Sequence, residues 1–309
     1  MPYYYWIAII VSIIFVACVL AGLSVALGIV KPKRRSLLET SILEEEYSNG
    51  IMDFYKKSKT NEYKVKSIFE YDLEVYYLKN KMNSNHYIIM SHGHTYTHHG
   101  CLKYARMMMS YGFNIIMYDQ PYHGNSGGSF TSLGHREKDD LYRIITDTIR
   151  RFGNDIVIGT YGESMGAVTV LLEAAFDDRV RYIFSDCGFS NLSDLMEELL
   201  KNNYKIPKYP FMCISNLIFK LITGVKYNGI SPIKALKQIS VPIFFAHGEA
   251  DNFISADHTK KMYEVYTGPK KIFIGGNESL HASSYYKDTE NYELSVKEFL
   301  KEFHILKMN

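Results

Sequence analysis

The stretch Asp155-Ile-Val-Ile-Gly-Thr-Tyr-Gly-Glu-Ser-Met-Gly166 decides the fold of this chain. It begins as a short β-branched run typical of a strand and leads directly into the pattern G-x-S-x-G. The apolar residues 167–175 then predict a buried helix. A strand, a glycine-flanked serine and a helix in this order are typical of a nucleophile elbow, a turn too tight for side chains two positions before and after the serine. We therefore expect the hydroxyl of Ser164 to stand above a sheet edge, where a base can reach it.

Continuous short apolar runs recur along the chain, and helical stretches separate most of them. These runs lie at residues 87–90, 114–117, 156–158, 182–184, 243–245 and 272–274. Continuous runs suit parallel strands covered on both faces, whereas the alternating residues 63–70 and 73–78 suit two antiparallel strands. Strands that alternate with helices predict βαβ units. The expected fold class is therefore α/β, with a mostly parallel, doubly wound sheet.

One segment, at about residues 191–238, interrupts this alternation. It contains helical pieces separated by proline and glycine turn residues, which predicts a helical cap inserted over the sheet edge. The segment is also rich in aromatic residues, among them Tyr204, Tyr209, Phe211, Phe219 and Tyr227. Aromatic residues in a cap pack more often than they contact substrate, but they also suit a lipid-like ligand.

The N-terminus predicts a transmembrane helix. Residues 6–30 contain no charged residue, and roughly 20 apolar residues are enough to cross a bilayer. Aromatic residues precede this run, and a basic cluster between Lys31 and Arg35 follows it, as at the two interfaces of a membrane span. A cleaved signal peptide would instead carry its positive charge before a shorter apolar run. We expect residues 1–35 to form a membrane anchor with a basic flank, followed by the main domain at residues 36–309.

Charge and cysteine usage narrow the cellular setting. The basic cluster lies after the apolar run, which predicts a single-pass protein of the cell membrane with its main domain on the cytoplasmic side. Cys101, Cys187 and Cys213 have no disulfide-like or metal-like spacing, which agrees with that side. The formal net charge over 309 residues is +2, and the remaining basic residues are scattered. This balance argues against nucleic acid as a partner.

A serine nucleophile needs a base, and the base needs an acid to orient it. Asp251 follows the apolar run at residues 243–245, and His281 follows the run at residues 272–274. They therefore stand in loops after strands, in the order serine, acid, histidine. His281 is the only histidine between the last predicted strand and the final helix. Asp186, at the end of another predicted strand, and Glu249 remain rivals for the role of the acid.

Two backbone N–H groups should stabilise the negative oxygen that develops on a carbonyl under attack. One is expected from Met165, the residue after Ser164. The other is expected from His94, in the loop after residues 87–90, where Gly93 allows the main chain to approach the substrate.

The same loop allows a competing interpretation as a metal site, because His92, His94, His98 and His99 are close in sequence. The binuclear pattern H-x-H-x-D-H, however, needs an aspartate where this chain has Tyr96. The serine site explains the loop without a metal, so no metal is predicted. Asp119 and His123, in the loop after residues 114–117, are expected to hold that loop's own hydrogen bonds.

From Tyr63 onward, about four-fifths of the chain, the sequence resembles the α/β-hydrolase superfamily, specifically serine aminopeptidase-like and Bem46-like hydrolases with an N-terminal anchor. The matching segments are residues 91–95, 119–126, 162–166, 247–251 and His281. One segment departs from the family pattern D-x-R-G-x-G-x-S: this chain has Asp119-Gln-Pro-Tyr-His-Gly-Asn-Ser126.

The resemblance implies hydrolysis of an acyl bond, of esterase, lipase or peptidase type, without a cofactor. Together with the residues above it gives the hypothesis of a Ser164–His281–Asp251 triad that cleaves a carboxylic ester through an acyl-enzyme. A small or medium acyl ester is the expected substrate, and the anchor and cap also suit a lipid-like ester. An acyltransferase, a thioesterase, a peptidase and a catalytically silent interaction module remain alternatives. The sequence leaves the oligomeric state open.

Overall fold

The structure, a computed structural model, describes residues 2–82, 84–202, 205 and 207–305. Within them, eight strands form one sheet: β1 (Lys59–Lys66), β2 (Asp72–Leu78), β3 (His86–Ser91), β4 (Asn114–Tyr118), β5 (Val157–Glu163), β6 (Val180–Asp186), β7 (Ile243–Gly248) and β8 (Lys270–Gly275). Their order across the sheet is β1-β2-β4-β3-β5-β6-β7-β8. β2 runs antiparallel to β1 and β4, and every other pair is parallel.

The helices of the described residues are α1 (Tyr3–Val30), α2 (Leu37–Tyr47), α3 (Ile51–Ser58), α4 (Leu102–Ser110), α5 (Glu137–Phe152), α6 (Met165–Ala174), α7 (Leu192–Asn202), α8 (Phe211–Thr223), α9 (Pro232–Ala235), α10 (Asp257–Val265), α11 (Ser284–Lys287) and α12 (Thr289–Glu302). One face of the sheet carries α3, α4, α11 and α12, and the other carries α5, α6 and α10. Both faces are therefore covered, which explains the continuous apolar strands. The predicted α/β class and doubly wound, mostly parallel sheet are confirmed.

The cap region holds α7, α8 and α9, together with short 3₁₀ turns. Phe219 and Tyr227 are fully buried, and their ring centroids lie 4.8 Å apart, so these two aromatic residues form the core of the cap. Tyr209 is exposed. Tyr204, which the sequence also singled out, lies outside the described residues. For Phe219 and Tyr227, the aromatic composition of the cap therefore reflects packing.

α1 is long and apolar enough to cross a membrane, and by length and composition it fits either a membrane span or a signal sequence. Its two halves differ. Residues 3–17 are exposed throughout, whereas Gly22, Ala26 and Val30, which share one helix face, are buried. A Cβ on Gly22 would lie only 2.5 Å from the Cγ2 atom of Ile214 on α8. Glycine is therefore required for this close approach of two helices.

The end of α1 is also bonded to the loops of the sheet. The carbonyl of Ile29 accepts a hydrogen bond from Nε2 of His94 at 2.9 Å, and the carbonyl of Val30 accepts one from the N–H of Thr131 at 2.8 Å. These two acceptors are among the last carbonyls of a helix, which have no partner within the helix itself. The C-terminal half of α1 is thus part of the packed domain.

Candidate active site

Ser164 lies between β5 and α6 with φ 56° and ψ −114°, a backbone conformation that costs free energy for a residue with a side chain. A Cβ on Gly162 would overlap the carbonyl oxygen of Gly166, and a Cβ on Gly166 would overlap that of Ser91. The N–H of Ser164 donates to the carbonyl of Asp186 at 2.8 Å and ties the turn to β6. The two glycines are required by close packing, as the sequence pattern predicts.

The structure brings Ser164, His281 and Asp251 together. Oγ of Ser164 lies 2.9 Å from Nε2 of His281, and Nδ1 of His281 lies 2.6 Å from Oδ2 of Asp251. Because an ionised carboxylate accepts only, Nδ1 carries the proton and Nε2 is left to accept the serine hydroxyl. This arrangement can remove the serine proton.

The carboxylate of Asp251 is held in place by further donors. Its Oδ1 accepts hydrogen bonds from the N–H groups of Phe253 and Ile254, each at 2.9 Å. Burial alone would raise the pKa of Asp251, but hydrogen bonds from His247 and His281 outweigh it and hold the pKa below its ordinary value. The carboxylate therefore stays ionised beside His281.

His247 is a functional neighbour that the sequence analysis assigned no role. Its Nδ1 accepts a hydrogen bond from the hydroxyl of Thr259 at 2.7 Å, which leaves Nε2–H to face Oδ2 of Asp251 at 3.1 Å and the carbonyl of Ile254 at 2.8 Å. The only sequence signal was its place four residues before Asp251. His247 positions the carboxylate and the loop that carries it.

The rival carboxylates lie elsewhere. Oδ2 of Asp186 accepts hydrogen bonds from Tyr104 at 3.0 Å and Tyr292 at 2.7 Å. The side chain of Glu249 is exposed to solvent and pairs with Lys260 at 2.9 Å. Of these three described carboxylates, Asp251 is the one that contacts His281.

Met165 and His94, the two residues of the oxyanion prediction, lie near Ser164: Met165 follows it in the chain, and His94 lines the same two cavities. Met165 is the first residue of α6, so its N–H points out of a helix N-terminus, where negative charge is favoured. A Cβ on Gly93 would lie 3.5 Å from Cβ of Ser164, which places the loop of His94 beside Ser164. Neither N–H has a partner among the hydrogen bonds of the described turns and loops. That these N–H groups stabilise an oxyanion stays a prediction.

Two buried histidines hold this loop. His92 donates from Nδ1 to the carbonyl of Gly93 at 2.7 Å and accepts the N–H of Gln120 at its Nε2 at 2.9 Å. His123 donates from Nδ1 to the carbonyl of Pro121 and accepts the N–H of Thr95 at 3.0 Å. Each ring connects the two loops through the main chain. The loop after β4, where the sequence departs from the family pattern, is thereby fixed to the loop of His94.

Among the described residues, no group of three or more His, Cys, Asp or Glu side chains is arranged to hold a metal ion. His98 uses Nδ1 for Asp119 at 2.9 Å and Nε2 for the hydroxyl of Tyr55 at 3.0 Å. Asp119 also accepts the N–H of Asn125 at 2.9 Å, so it organises its own loop. Burial lowers the pKa of His92 to about 4, and that of His99 and His123 to about 3.

Two cavities meet at Ser164. The polar cavity, of about 400 Å³, is lined by Arg35, Glu44, Tyr47, Tyr96, Lys103 and Tyr286 among others. The apolar cavity, of about 310 Å³, lies between α1 and α7 and is lined largely by aliphatic side chains. Both also touch His94 and Phe253. A reacting group at Ser164 thus has an apolar side and a polar side.

Lys103 connects the turn that carries Ser164 to the loop that carries His281. Its side chain is only 3% exposed, and its Nζ lies 2.5 Å from Oε2 of Glu163 and 3.2 Å from the carbonyl of Ala282. These two partners directly adjoin Ser164 and His281 in sequence. Burial would lower the pKa of Lys103, but the ion pair with Glu163 holds it well above its ordinary value. Nothing in the sequence around Lys103 indicated that it would connect these two loops.

No protein-family model matches the chain. It is 32% identical over 266 residues to the uncharacterized protein YqkD of Bacillus subtilis (strain 168), and this match covers 85% of this chain and 87% of YqkD. Its structure is similar to that of the Pyrococcus furiosus esterase Pf2001, with a TM-score of 0.64 and 19% identity over 80% of this chain and 92% of the esterase. The acylaminoacyl peptidase of Pyrococcus horikoshii gives a TM-score of 0.61 and 19% identity, over 82% of this chain and 43% of the peptidase.

Proposed function

We propose that this chain, which belongs to the family of the Bacillus subtilis protein YqkD and has the α/β-hydrolase fold, is a serine hydrolase that cleaves a carboxylic ester. The observation that carries the proposal is the hydrogen-bonded series from Ser164 through His281 to Asp251, built on a strained turn that places the serine at the wall of two cavities. The fold shared with esterases supports hydrolysis in general.

In the first half of the reaction, Oγ of Ser164 attacks the ester carbonyl carbon while Nε2 of His281 takes the hydroxyl proton. The ionised carboxylate of Asp251 stabilises the imidazolium that forms. The carbon–oxygen bond to the alcohol then breaks, and His281 gives its proton to the departing alkoxide. An alcohol leaves, and the acyl group stays on Ser164 as an ester.

In the second half, a water molecule replaces the alcohol. His281 takes a proton from the water as its oxygen attacks the acyl carbon, and Oγ of Ser164 leaves with that proton. In both halves the N–H groups of Met165 and His94 donate to the tetrahedral oxyanion. In a serine protease, removal of one oxyanion donor lowers kcat by about 10²–10³-fold.

We propose that α1 is retained as the membrane anchor. Its C-terminal half packs on α8 through Gly22 and bonds to His94 and Thr131, so its removal would open the domain. The basic residues after α1 favour the cytoplasmic side for the main domain. A C-terminal tag should then become accessible to antibody only after the membrane is permeabilised; a tag accessible on intact cells would reverse the orientation.

The test of the function is labelling of the full-length protein in detergent by a fluorophosphonate probe, which reacts with activated serines. We expect labelling of the wild type, complete loss in Ser164→Ala, and wild-type labelling in Ser41→Ala, a half-buried serine on α2 that lies outside the site. Hydrolysis of p-nitrophenyl esters and of the matching p-nitroanilides then separates an esterase from a peptidase. A folded wild type that neither labels nor hydrolyses either series would reject the enzyme and favour an interaction module.

A further inference from the structure

We propose that the substrate is a membrane-borne acyl ester whose acyl chain lies against the anchor helix itself. α1 would then serve as one wall of the acyl site as well as an attachment to the bilayer. This inference rests on the proposed hydrolase function, because it places the acyl group of the ester that Ser164 attacks.

The lining of the apolar cavity is the first support. Ser24, Val25, Gly28 and Ile29, all from the last two turns of α1, form one of its walls. α7 contributes the opposite wall with aliphatic side chains such as Leu195 and Met196. The cavity reaches Ser164 and Met165 at its inner end, so an acyl chain bound in it presents its carbonyl to the nucleophile and the helix N-terminus.

The length of α1 places this cavity at the membrane. The exposed residues 3–17 would span only about 22 Å at about 1.5 Å per residue, less than the roughly 30 Å of hydrocarbon in a bilayer. With Trp6 at the far interface, the 20 residues needed for a span end near Ala26. The cavity wall, which begins at Ser24, therefore starts at the inner boundary of the hydrocarbon.

The neighbouring surface suits the same position. α8 packs on the C-terminal half of α1, part of which the bilayer must include if the span ends near Ala26. On its outer side α8 exposes Leu217 and Leu221, which are 58% and 76% exposed. Apolar side chains beside a membrane helix lower the free energy of contact with the acyl boundary. The exposed residues of α1 and of α8 therefore bring this end of the domain to the depth at which acyl chains lie.

The polar cavity on the other side of Ser164 defines the second half of the substrate. Arg35 and Tyr47 line it, whereas the charge of Lys103 is paired with Glu163 and the hydroxyl of Tyr286 donates to Glu44. An ester bound across both cavities would place an acyl chain along α1 and a polar alcohol against α2. The substrate class is thus an amphiphile with an acyl chain and a polar leaving group.

The test uses the full-length protein in phosphatidylcholine vesicles, with 4-methylumbelliferyl palmitate in the bilayer and 4-methylumbelliferyl butyrate in solution. A Cβ on Gly28 meets no atom within 4 Å, so Gly28→Phe fills the cavity without a backbone clash. We expect this variant to lower kcat/KM for palmitate at least about tenfold, with butyrate changed less than about twofold. The matched control is Leu27→Phe, on the same helix turn but outside the cavity, which should behave as the wild type.

Fluorophosphonate labelling distinguishes a failure of the hydrolase function from a failure of the acyl site on α1. A wild type without labelling or ester hydrolysis rejects the hydrolase. A labelled Gly28→Phe protein with an unchanged palmitate-to-butyrate ratio overturns the acyl site on α1 while the hydrolase stands. If Gly28→Phe does not fold, Ser24→Phe fills the same wall one turn earlier and carries the same expectation.

The route of the substrate has its own measurement. At a fixed bulk amount of palmitate ester, below saturation, a tenfold increase in phosphatidylcholine dilutes the ester within the bilayer. We expect the wild-type rate to fall in step with that dilution. A rate set by bulk ester concentration alone would show that the chain enters from water and would overturn the membrane route.

Discussion

His281 and the pair His92 and His123 carry the same imidazole ring in opposite settings. His281 is 23% exposed at the wall of a cavity, and its two nitrogens face the side chains of Asp251 and Ser164. His92 and His123 are fully buried, and their nitrogens bond to main-chain groups of two loops. The difference separates a ring that can exchange a proton from rings that fix the backbone around it.

Replacing the exposed ring should have the largest effect. We expect His281→Ala to lower kcat for ester hydrolysis at least about 10⁴-fold, because no group remains to take the serine proton. The melting temperature should stay close to that of the wild type, since the ring is partly exposed. Ester hydrolysis and thermal unfolding measure the two effects, with the exposed His304→Ala as control. A residual rate within a factor of ten of the wild type would remove His281 from the mechanism.

Replacing a buried ring should reverse this balance. His123→Ala leaves the N–H of Thr95 without its acceptor and the carbonyl of Pro121 without its donor. We expect the free energy of unfolding to fall by about 1–3 kcal/mol, and kcat to fall by at most about 100-fold as the loop of His94 loosens. Chemical denaturation and ester hydrolysis report the two changes. Wild-type stability in this variant would mean that the ring does not hold the loop.

Lowering the pH should reduce the stability of the fold, because the buried histidines are neutral in the folded chain. The pKa values of His92, His99 and His123 are about 4, 3 and 3, below the unfolded value of about 6.5. As the pH falls below about 6.5, the unfolded chain binds protons that the folded chain does not. Each group then lowers the free energy of unfolding by about 1.4 kcal/mol per pH unit, until its folded pKa is reached.

The measurement is denaturant unfolding at a series of pH values between 7 and 4. We expect stability to fall steadily over this window, and to fall less steeply in His99→Gln, which removes one of the titrating rings. A stability that is flat from pH 7 to 5 would contradict the buried neutral state of these histidines.

A chelator should have the smallest effect. Both ring nitrogens of His92, His98 and His123 are engaged in hydrogen bonds, so metal binding would have to break them. We expect EDTA and added zinc to leave the rate of ester hydrolysis unchanged. A rate that chelation abolishes and zinc restores would revive the metal interpretation of this loop.

The fold was predictable because its signals are local. Apolar runs, their spacing and the two glycines around Ser164 report on neighbours in sequence, and the sheet follows from them. His281 was predicted as the base because it is the only histidine between the last predicted strand and the final helix. Asp251 and Asp186 both follow strands, however, and loop geometry alone shows which one faces His281.

The supporting residues were not predictable. Lys103 lies on a helix with ordinary amphipathic spacing, and its partners Glu163 and Ala282 are distant in sequence. The packing of α1 on α8 likewise depends on Gly22 and Ile214, which are joined by no pattern in either helix. Such contacts depend on how completed elements meet, and that information is absent from any short stretch of sequence.

The contact of Gly22 with Ile214 makes the leading helix a fitted component that cannot be exchanged freely. A membrane helix taken from an unrelated protein would still deliver the domain to a bilayer. It would leave a gap along α8 wherever a larger side chain replaced Gly22 or Ala26 and held the two helices apart. Gene fusions that shuffle N-terminal helices among enzymes are therefore constrained here, and the helix must change in step with the cap it touches.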